Sequence, residues 1–338
     1  MTIRKDRLDG VAVSLLLACT LFWGVQQVLV KATMAEVPPL FQASLRFAAA
    51  TLVILCWCRL RGIRLVEPAG TLALGICAGL LFSIEFAGIY LGLQYTTVSR
   101  LTIFLYSAPF WVAAVLPLTG RSEQPTRTQW AGLVIAFLGV LLALSDGLTK
   151  ASPRAWIGDL LGVLAGAAWG LTTVLIRSTR LAQVAPEKLL LWQVAVSTAT
   201  LPLLSLALGE DWVWHFSAFA ATSLAIQTVV GAFASYLAWT WLMVRYPPTK
   251  TSSFTFLTPV FAVICGVVFL AEPLSFKLVA ALLAVAAGIY LVNRQAYIVP
   301  APPPGLREAR CSGSPQGIKH HCRAATGTNR REGRGRRR

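Results

Sequence analysis

The sequence predicts an all-α polytopic membrane protein: ten transmembrane helices in two inverted five-helix repeats. Three observations predict it. Hydrophobic residues make up 56% of the 338-residue chain and charged residues only 13%, at a mean hydropathy of +0.65, whereas a soluble domain carries roughly a quarter charged residues. Ten stretches are free or nearly free of charge, each close to the about 20 residues a bilayer-spanning helix needs. The last five of these stretches repeat landmarks of the first five.

Residues 1–10 carry Arg4, Lys5 and Arg7 ahead of an uncharged run that reaches Val30. That run is longer than the apolar core of a secretory signal, so an uncleaved first span is expected at 11–31. Spans two to five follow at 38–58, 70–93, 97–118 and 128–145, and close a first repeat, 11–146. Spans six to ten at 157–176, 188–208, 218–243, 249–271 and 275–293 form a second repeat, 157–293. Each is a continuous apolar run without the alternation of a barrel strand, and helices and closed barrels are the structures that satisfy every backbone group in lipid. Residues 294–338 form a basic tail, expected to be disordered, cytoplasmic and dispensable. The tail holds 11 Lys/Arg against 2 Asp/Glu, more than half of the net charge of +16, so the excess is no sign of nucleic-acid binding.

Lysine and arginine set the orientation. One side collects the N-terminal cations, Arg59, Arg61, Arg64, Arg121, Arg127, Arg177, Arg180 and Arg245; the other holds Lys31, Arg100, Lys150, Arg154 and Lys277. Both termini are therefore expected in the cytoplasm, with the loop around Glu210 and Asp211 outside.

The repeat shows in the landmarks. Trp23-Gly24 and the run from Val28 to Lys31 return as Trp169-Gly170 and Val174 to Arg177, 146 residues on. Pro39 and Arg46 fall on Pro186 and Gln193 at 147, Arg100 and Pro109 on Lys250 and Pro259 at 150, Glu123 and Gly139 on Glu272 and Gly288 at 149. Each copy holds an odd number of spans, so the second enters the membrane from the opposite face, as in alternating-access transporters.

Two charges lie deep in the spans, where an unpaired one costs about 2.5–3.5 kcal/mol on the permissive insertion scale. Arg46 stands eight residues into span two and Glu85 a similar distance from the outer end of span three, both about 12 Å below the surface, where they can meet. Their repeat equivalents are Gln193 and, approximately, Ser235. Two readings stand: a substrate or proton site present on one half, with Arg46 for a carboxylate and Glu85 for a proton or amine, or a buried ion pair that fixes spans two and three. Asp159 is expected to cap span six. Pro109 and Pro259 each free a carbonyl four residues back, so both are expected to kink their spans. Near them Thr102 and Tyr106, and Thr251, Thr255 and Thr258, either line a polar cavity or satisfy the freed backbone. Trp23 and Trp169 at mid-membrane either pack the repeat interface or wall that cavity. Gly158, Gly162, Gly166 and Gly170 make one smooth groove on span six, as do Gly75 and Gly79 on span three.

Other chemistries are excluded or disfavoured. There is no P-loop for ATP-driven pumping by this chain, no nucleophile set for an enzyme, and neither a cofactor nor a metal is expected; His320, His321 and Cys322 are adjacent residues that cannot converge on an ion by themselves. Cys19, Cys56, Cys58, Cys77 and Cys265 lie in apolar segments and read as packing residues.

Five-plus-five spans, Trp-Gly in spans one and six, Arg46 in span two, the Pro109/Pro259 pair followed by Glu123 and Glu272, and the Gly139/Gly288 pattern resemble the EamA-type members of the drug/metabolite transporter superfamily. The resemblance covers 11–293. It implies a bacterial inner-membrane secondary transporter, usually for efflux of amino acids or related metabolites, with spans five and ten peripheral to a cavity between the repeats. A small-molecule substrate and membrane lipid are the expected partners. A non-transporting scaffold or sensor, or an importer on the same scaffold, is the alternative. Monomer and homodimer remain open.

Overall fold

A computed structural model describes residues 7–63, 71–120, 125–143, 145, 153–261 and 276–294. Among these every regular element is helical. Seven helices are long and apolar enough to cross a membrane: Gly10–Thr33, Pro39–Leu60, Leu72–Tyr95, Arg100–Thr119, Ala155–Ser178, Pro186–Ala207 and Ala218–Arg245. Spans five and ten appear as the shorter Arg127–Ala143 and Phe276–Arg294. Span nine is described from Pro248 as far as residue 261. Glu123, Glu272, Cys265, Lys150, the rest of span nine, the tail and its His320, His321 and Cys322 lie outside the described residues.

Local signals in the sequence end these helices. The Asp9 carboxylate accepts from the Ala12 N–H at 2.9 Å and caps span one. Pro39, Pro186 and Pro248 open spans two, seven and nine, where the missing N–H costs nothing. Gly62 (φ 64°) and Gly209 (φ 71°), 147 residues apart, close spans two and seven in the left-handed region that residues with a Cβ avoid. The Glu210 carboxylate accepts from the N–H groups of Leu40 and Phe41 at 3.0 and 2.8 Å, so the loop after span seven caps span two.

Packing rests on small residues, because lipid tails are as apolar as leucine and only close approach favours helix against helix. The span-six groove receives span four: a Cβ on Gly162 would stand 2.9 Å from that of Phe104, one on Gly166 2.8 Å from the Leu105 carbonyl oxygen, one on Gly170 2.6 Å from the Cβ of Trp111. Gly75 and Gly79 seat Trp192 and Val196 of span seven in the same way. Spans five and ten touch backbone to backbone where Gly132 meets Gly288, within a cluster that includes Leu133, Val140, Val285 and Val292.

One expectation needs correction. Asp159 does not cap span six: it forms an ion pair with Arg100 at the start of span four and accepts from Thr96 at 3.4 Å. At Pro109 span four is interrupted, its α-helical turns stopping at Leu105 and resuming at Ala108. Pro lacks the N–H that would reach Leu105, and the chain answers by ending one helix and beginning the next. Span nine breaks likewise through a 3₁₀ turn at Phe254–Phe256, ahead of Pro259.

Candidate functional site

The broken and unbroken helices line a cavity of about 80 Å³ between the spans, room for about five to eight heavy atoms at roughly 10–15 Å³ per water-sized sphere. The two halves line it from equivalent positions. Spans one and six contribute Trp23, Gln26, Gln27 and Val30 and, 146 residues on, Trp169, Thr172, Thr173 and Ile176. Spans three and eight contribute Phe86, Ile89, Tyr90 and Leu93 and, 150 residues on, Tyr236, Trp239, Thr240 and Met243. Arg46 and Gln193 line it from equivalent positions too, and no described residue of span five or span ten is among the lining.

Arg46 is 1% exposed. It donates from Nη1 to the Tyr90 hydroxyl at 3.1 Å and from Nη2 to the Tyr236 hydroxyl at 2.5 Å and Gln26 Oε1 at 3.4 Å. The rings of Phe47, Phe86 and Tyr236 lie 5.3–5.4 Å from its Cζ. Hydrogen bonds to a charged group and ring faces together offset the loss of water. The Tyr90 hydroxyl donates in turn to Gln227 Oε1 at 3.2 Å, and Gln227 donates to Ser223 at 3.0 Å, so the network continues toward the start of span eight.

Span eight leaves α-helical geometry along this network: Gln227–Ser235 is π-helical, a rare form that is frequent at functional sites. Gly231 sits within that stretch. A Cβ there would stand 2.1 Å from Gln26 Oε1 and 3.1 Å from Arg46 Nη2.

Glu85 is 6% exposed and lines the cavity. No described residue hydrogen-bonds to its carboxylate, and it forms no ion pair with Arg46. The two groups thus make no direct ion pair here: Tyr90, Tyr236 and Gln26 take Nη1 and Nη2 of the guanidinium, and its buried Nε has no hydrogen-bond partner among the described residues.

Trp23 and Trp169 wall the cavity and meet at 5.9 Å between centroids; Trp239 lies 5.3 and 5.7 Å from them, and Tyr106 5.6 Å from Trp169. The Trp23 N–H is engaged, donating to Ser235 Oγ at 2.8 Å. Gln193 and Tyr106 also line the cavity. Thr102 and Thr255 do not: both hydroxyls return to carbonyls of their own helices, Val98 at 2.6 Å and Ser252 at 2.7 Å. Pro109 and Pro259 stand beyond the breaks, outside the lining.

Residue-by-residue reading missed Gln26, Gln27, Tyr90, Tyr236, Trp239, Thr172 and Thr173. Individually each is an ordinary polar or aromatic residue in an apolar run. The repeat offsets carried the available signal, since 26/172, 27/173, 86/236 and 90/240 are equivalent pairs.

The family model described as EamA-like transporter family matches residues 10–145 and again 156–294. An uncharacterized transporter of Bacillus subtilis, YvbV, is 28% identical over 87% of this chain and 96% of its own length. A protein of Salmonella typhimurium named probable amino-acid metabolite efflux pump is 24% identical over 85% and 95%. The uncharacterized inner membrane transporter YedA of Escherichia coli is 23% identical over 85% and 92%. A solved crystal structure superposes with a TM-score of 0.69 at 20% identity, over 84% of this chain and 98% of the other, a likeness of fold alone. With two matched copies spanning its membrane helices, the chain belongs to the EamA-like transporter family and is a multi-pass membrane transporter, not an enzyme.

Proposed function

We propose that this transporter moves small amine-bearing metabolites, amino acids or their close relatives, out of the cytoplasm across a bacterial inner membrane by alternating access, with protons as the coupling ion. The observation that carries the reading is the bare Glu85 carboxylate in a cavity lined from equivalent positions of both halves. Exchanging the conformations of the two halves would present the same lining to the opposite face. Glu85 can hold a proton or an ammonium group but not both, so arrival of one releases the other, and no metal is needed. The name of the Salmonella relative supports the cargo class and that of the Escherichia relative the membrane. The excess of Lys/Arg in alternate loops supports cytoplasmic termini.

The test is purified protein in liposomes loaded with a metabolite panel, with and without a pH gradient. Movement of amines or amino acids accelerated by the gradient is expected. An inert panel, or transport indifferent to the gradient, would overturn the transport or the coupling part respectively.

A further inference from the structure

The cavity is closed by different chemistry at its two ends. At the end where span one finishes and span eight begins, the hydrogen bonds of Arg46 continue past Tyr90 into a plug of neutral polar side chains. Gln227 Oε1 accepts from the Tyr90 hydroxyl at 3.2 Å and from Gln42 Nε2 at 3.3 Å, and Gln227 Nε2 donates to Ser223 Oγ, which lies 2.7 Å from Thr33 Oγ1. Thr33, Gln42 and Gln227 are 0% exposed and Ser223 2%, and none of the four lines the cavity. Gln42 precedes Arg46 by about one helical turn, as Ser223 precedes Gln227, so the plug is stacked beyond the guanidinium in layers about 5.4 Å apart. Each link, Tyr90 to Gln227, Gln42 to Gln227 and Thr33 to Ser223, joins the first half of the chain to span eight of the second.

The repeat supplies the comparison. At the offsets of the other landmarks Gln42, Ser223 and Gln227 fall on Leu189, Ala73 and Cys77. At the opposite end Leu189 belongs to a buried apolar cluster with Ala78, Ile176 and Val244. Parting an apolar cluster exposes its surface to water, at a cost proportional to area. Parting the plug exchanges protein hydrogen bonds for those of water, a modest net loss. Gln42 Oε1, buried without a hydrogen-bond partner among the described residues, gains one in the exchange.

We infer that Thr33, Gln42, Ser223 and Gln227 form a water-admitting gate of the cavity, closed through Gln227 and parted when the cavity opens toward the end of span one. This rests on the alternating-access reading and names the gate that reading requires; in the proposed topology it is the outer one, through which cargo leaves.

The pseudo-symmetry provides an internal control. A contact between equivalent residues survives an exchange of the two halves' conformations, because each residue takes the other's place. Thr51 and Thr198, equivalent at the offset of spans two and seven, share a hydrogen bond at 2.9 Å and are such a pair; Thr33 and Ser223 are not.

Full-length protein without native cysteines carries either Thr33→Cys with Ser223→Cys or Thr51→Cys with Thr198→Cys, and is oxidised in proteoliposomes. Oxidation should lower transport at least ten-fold in the first pair, reversibly on reduction, and leave it within about two-fold in the second. A separate protein carries Thr173→Cys in the cavity lining as a reporter that needs no cargo. Adding Gln227→Leu, which keeps the bulk and removes the hydrogen bonds, should raise reporter labelling by an impermeant maleimide several-fold from the side on which Asp211→Cys reacts, and not from the other.

Transport that survives the 33–223 disulfide, equal loss in both pairs, or reporter labelling that Gln227→Leu leaves unchanged or raises only from the opposite side would each overturn the inference. If Gln227→Leu does not fold or a disulfide does not form, the other arm decides. A metabolite panel inert throughout removes the transport reading, and the cargo-free reporter still decides whether the plug opens.

Discussion

Arg46 and Glu85 line one cavity yet do not pair: the guanidinium donates to the hydroxyls of Tyr90 and Tyr236, and the carboxylate accepts from no described residue. The two charges are therefore unequally partnered, Arg46 held through Nη1 and Nη2 with only its Nε left over, and Glu85 without a hydrogen bond from any described residue.

That inequality predicts unequal mutants. Arg46→Gln strips partners from Tyr90, Tyr236 and Gln26 and should destabilise the fold by on the order of 3 kcal/mol, the scale of losing hydrogen bonds to a charged group. Glu85→Gln removes a carboxylate without partners and should leave stability unchanged or improved while abolishing transport. Thermal denaturation in detergent and liposome transport, scored separately over the double-mutant cycle, check this. Restoration of stability in the double mutant would show a direct pair after all.

Gly231→Ala places a methyl group 2.1 Å from Gln26 Oε1, where that amide must leave its contact with Arg46. We expect normal membrane insertion and at least a ten-fold loss of transport. Gly10→Ala, with open space around it, is the control and should behave as the unaltered protein. Equal activity of the two variants would show that the contact is unimportant.

Cation binding should depend on pH with a definite sign. The titratable and charged groups lining the cavity, among the described residues, are Arg46, Glu85, Tyr90, Tyr106 and Tyr236. A quaternary ammonium binds the ionised carboxylate and a proton competes for it, so choline affinity should fall with acidification, by about ten-fold per pH unit once Glu85 is mostly protonated. Glu85→Gln should be flat. Equilibrium binding of labelled choline between pH 5 and 9 checks both; a flat profile in the unaltered protein would remove the competition.

Topology is open to labelling. In a background without native cysteines, a cysteine at position 211 should react with an impermeant maleimide from outside and one at position 61 from the cytoplasm. The reverse pattern would invert the assignment.

The class was legible because hydrophobicity is additive along the chain: each span announces itself without reference to any other. The glycine groove of span six was legible for a related reason, since a four-residue spacing gathers Gly158 to Gly170 on one face whatever packs there. The partner was not, and the fold supplied span four. Asp159 shows the limit of local reading: an acidic residue near a helix start reads as a cap until Arg100, 59 residues away, is brought alongside.

Sequence by itself determined the all-helical membrane class, the repeated halves and the place of Arg46 and Glu85 within apolar spans, all functions of composition and residue spacing. Only tertiary structure decided that Tyr236 and not Glu85 hydrogen-bonds Arg46, that Thr102 and Thr255 turn back on their own helices, and that three tryptophans from spans one, six and eight pack against one another. Those outcomes depend on contacts between residues up to 216 positions apart, such as that of Trp23 with Trp239. They also depend on the π-helical stretch of span eight, whose changed register rotates Tyr236 toward the guanidinium in a way no helical periodicity in the sequence encodes.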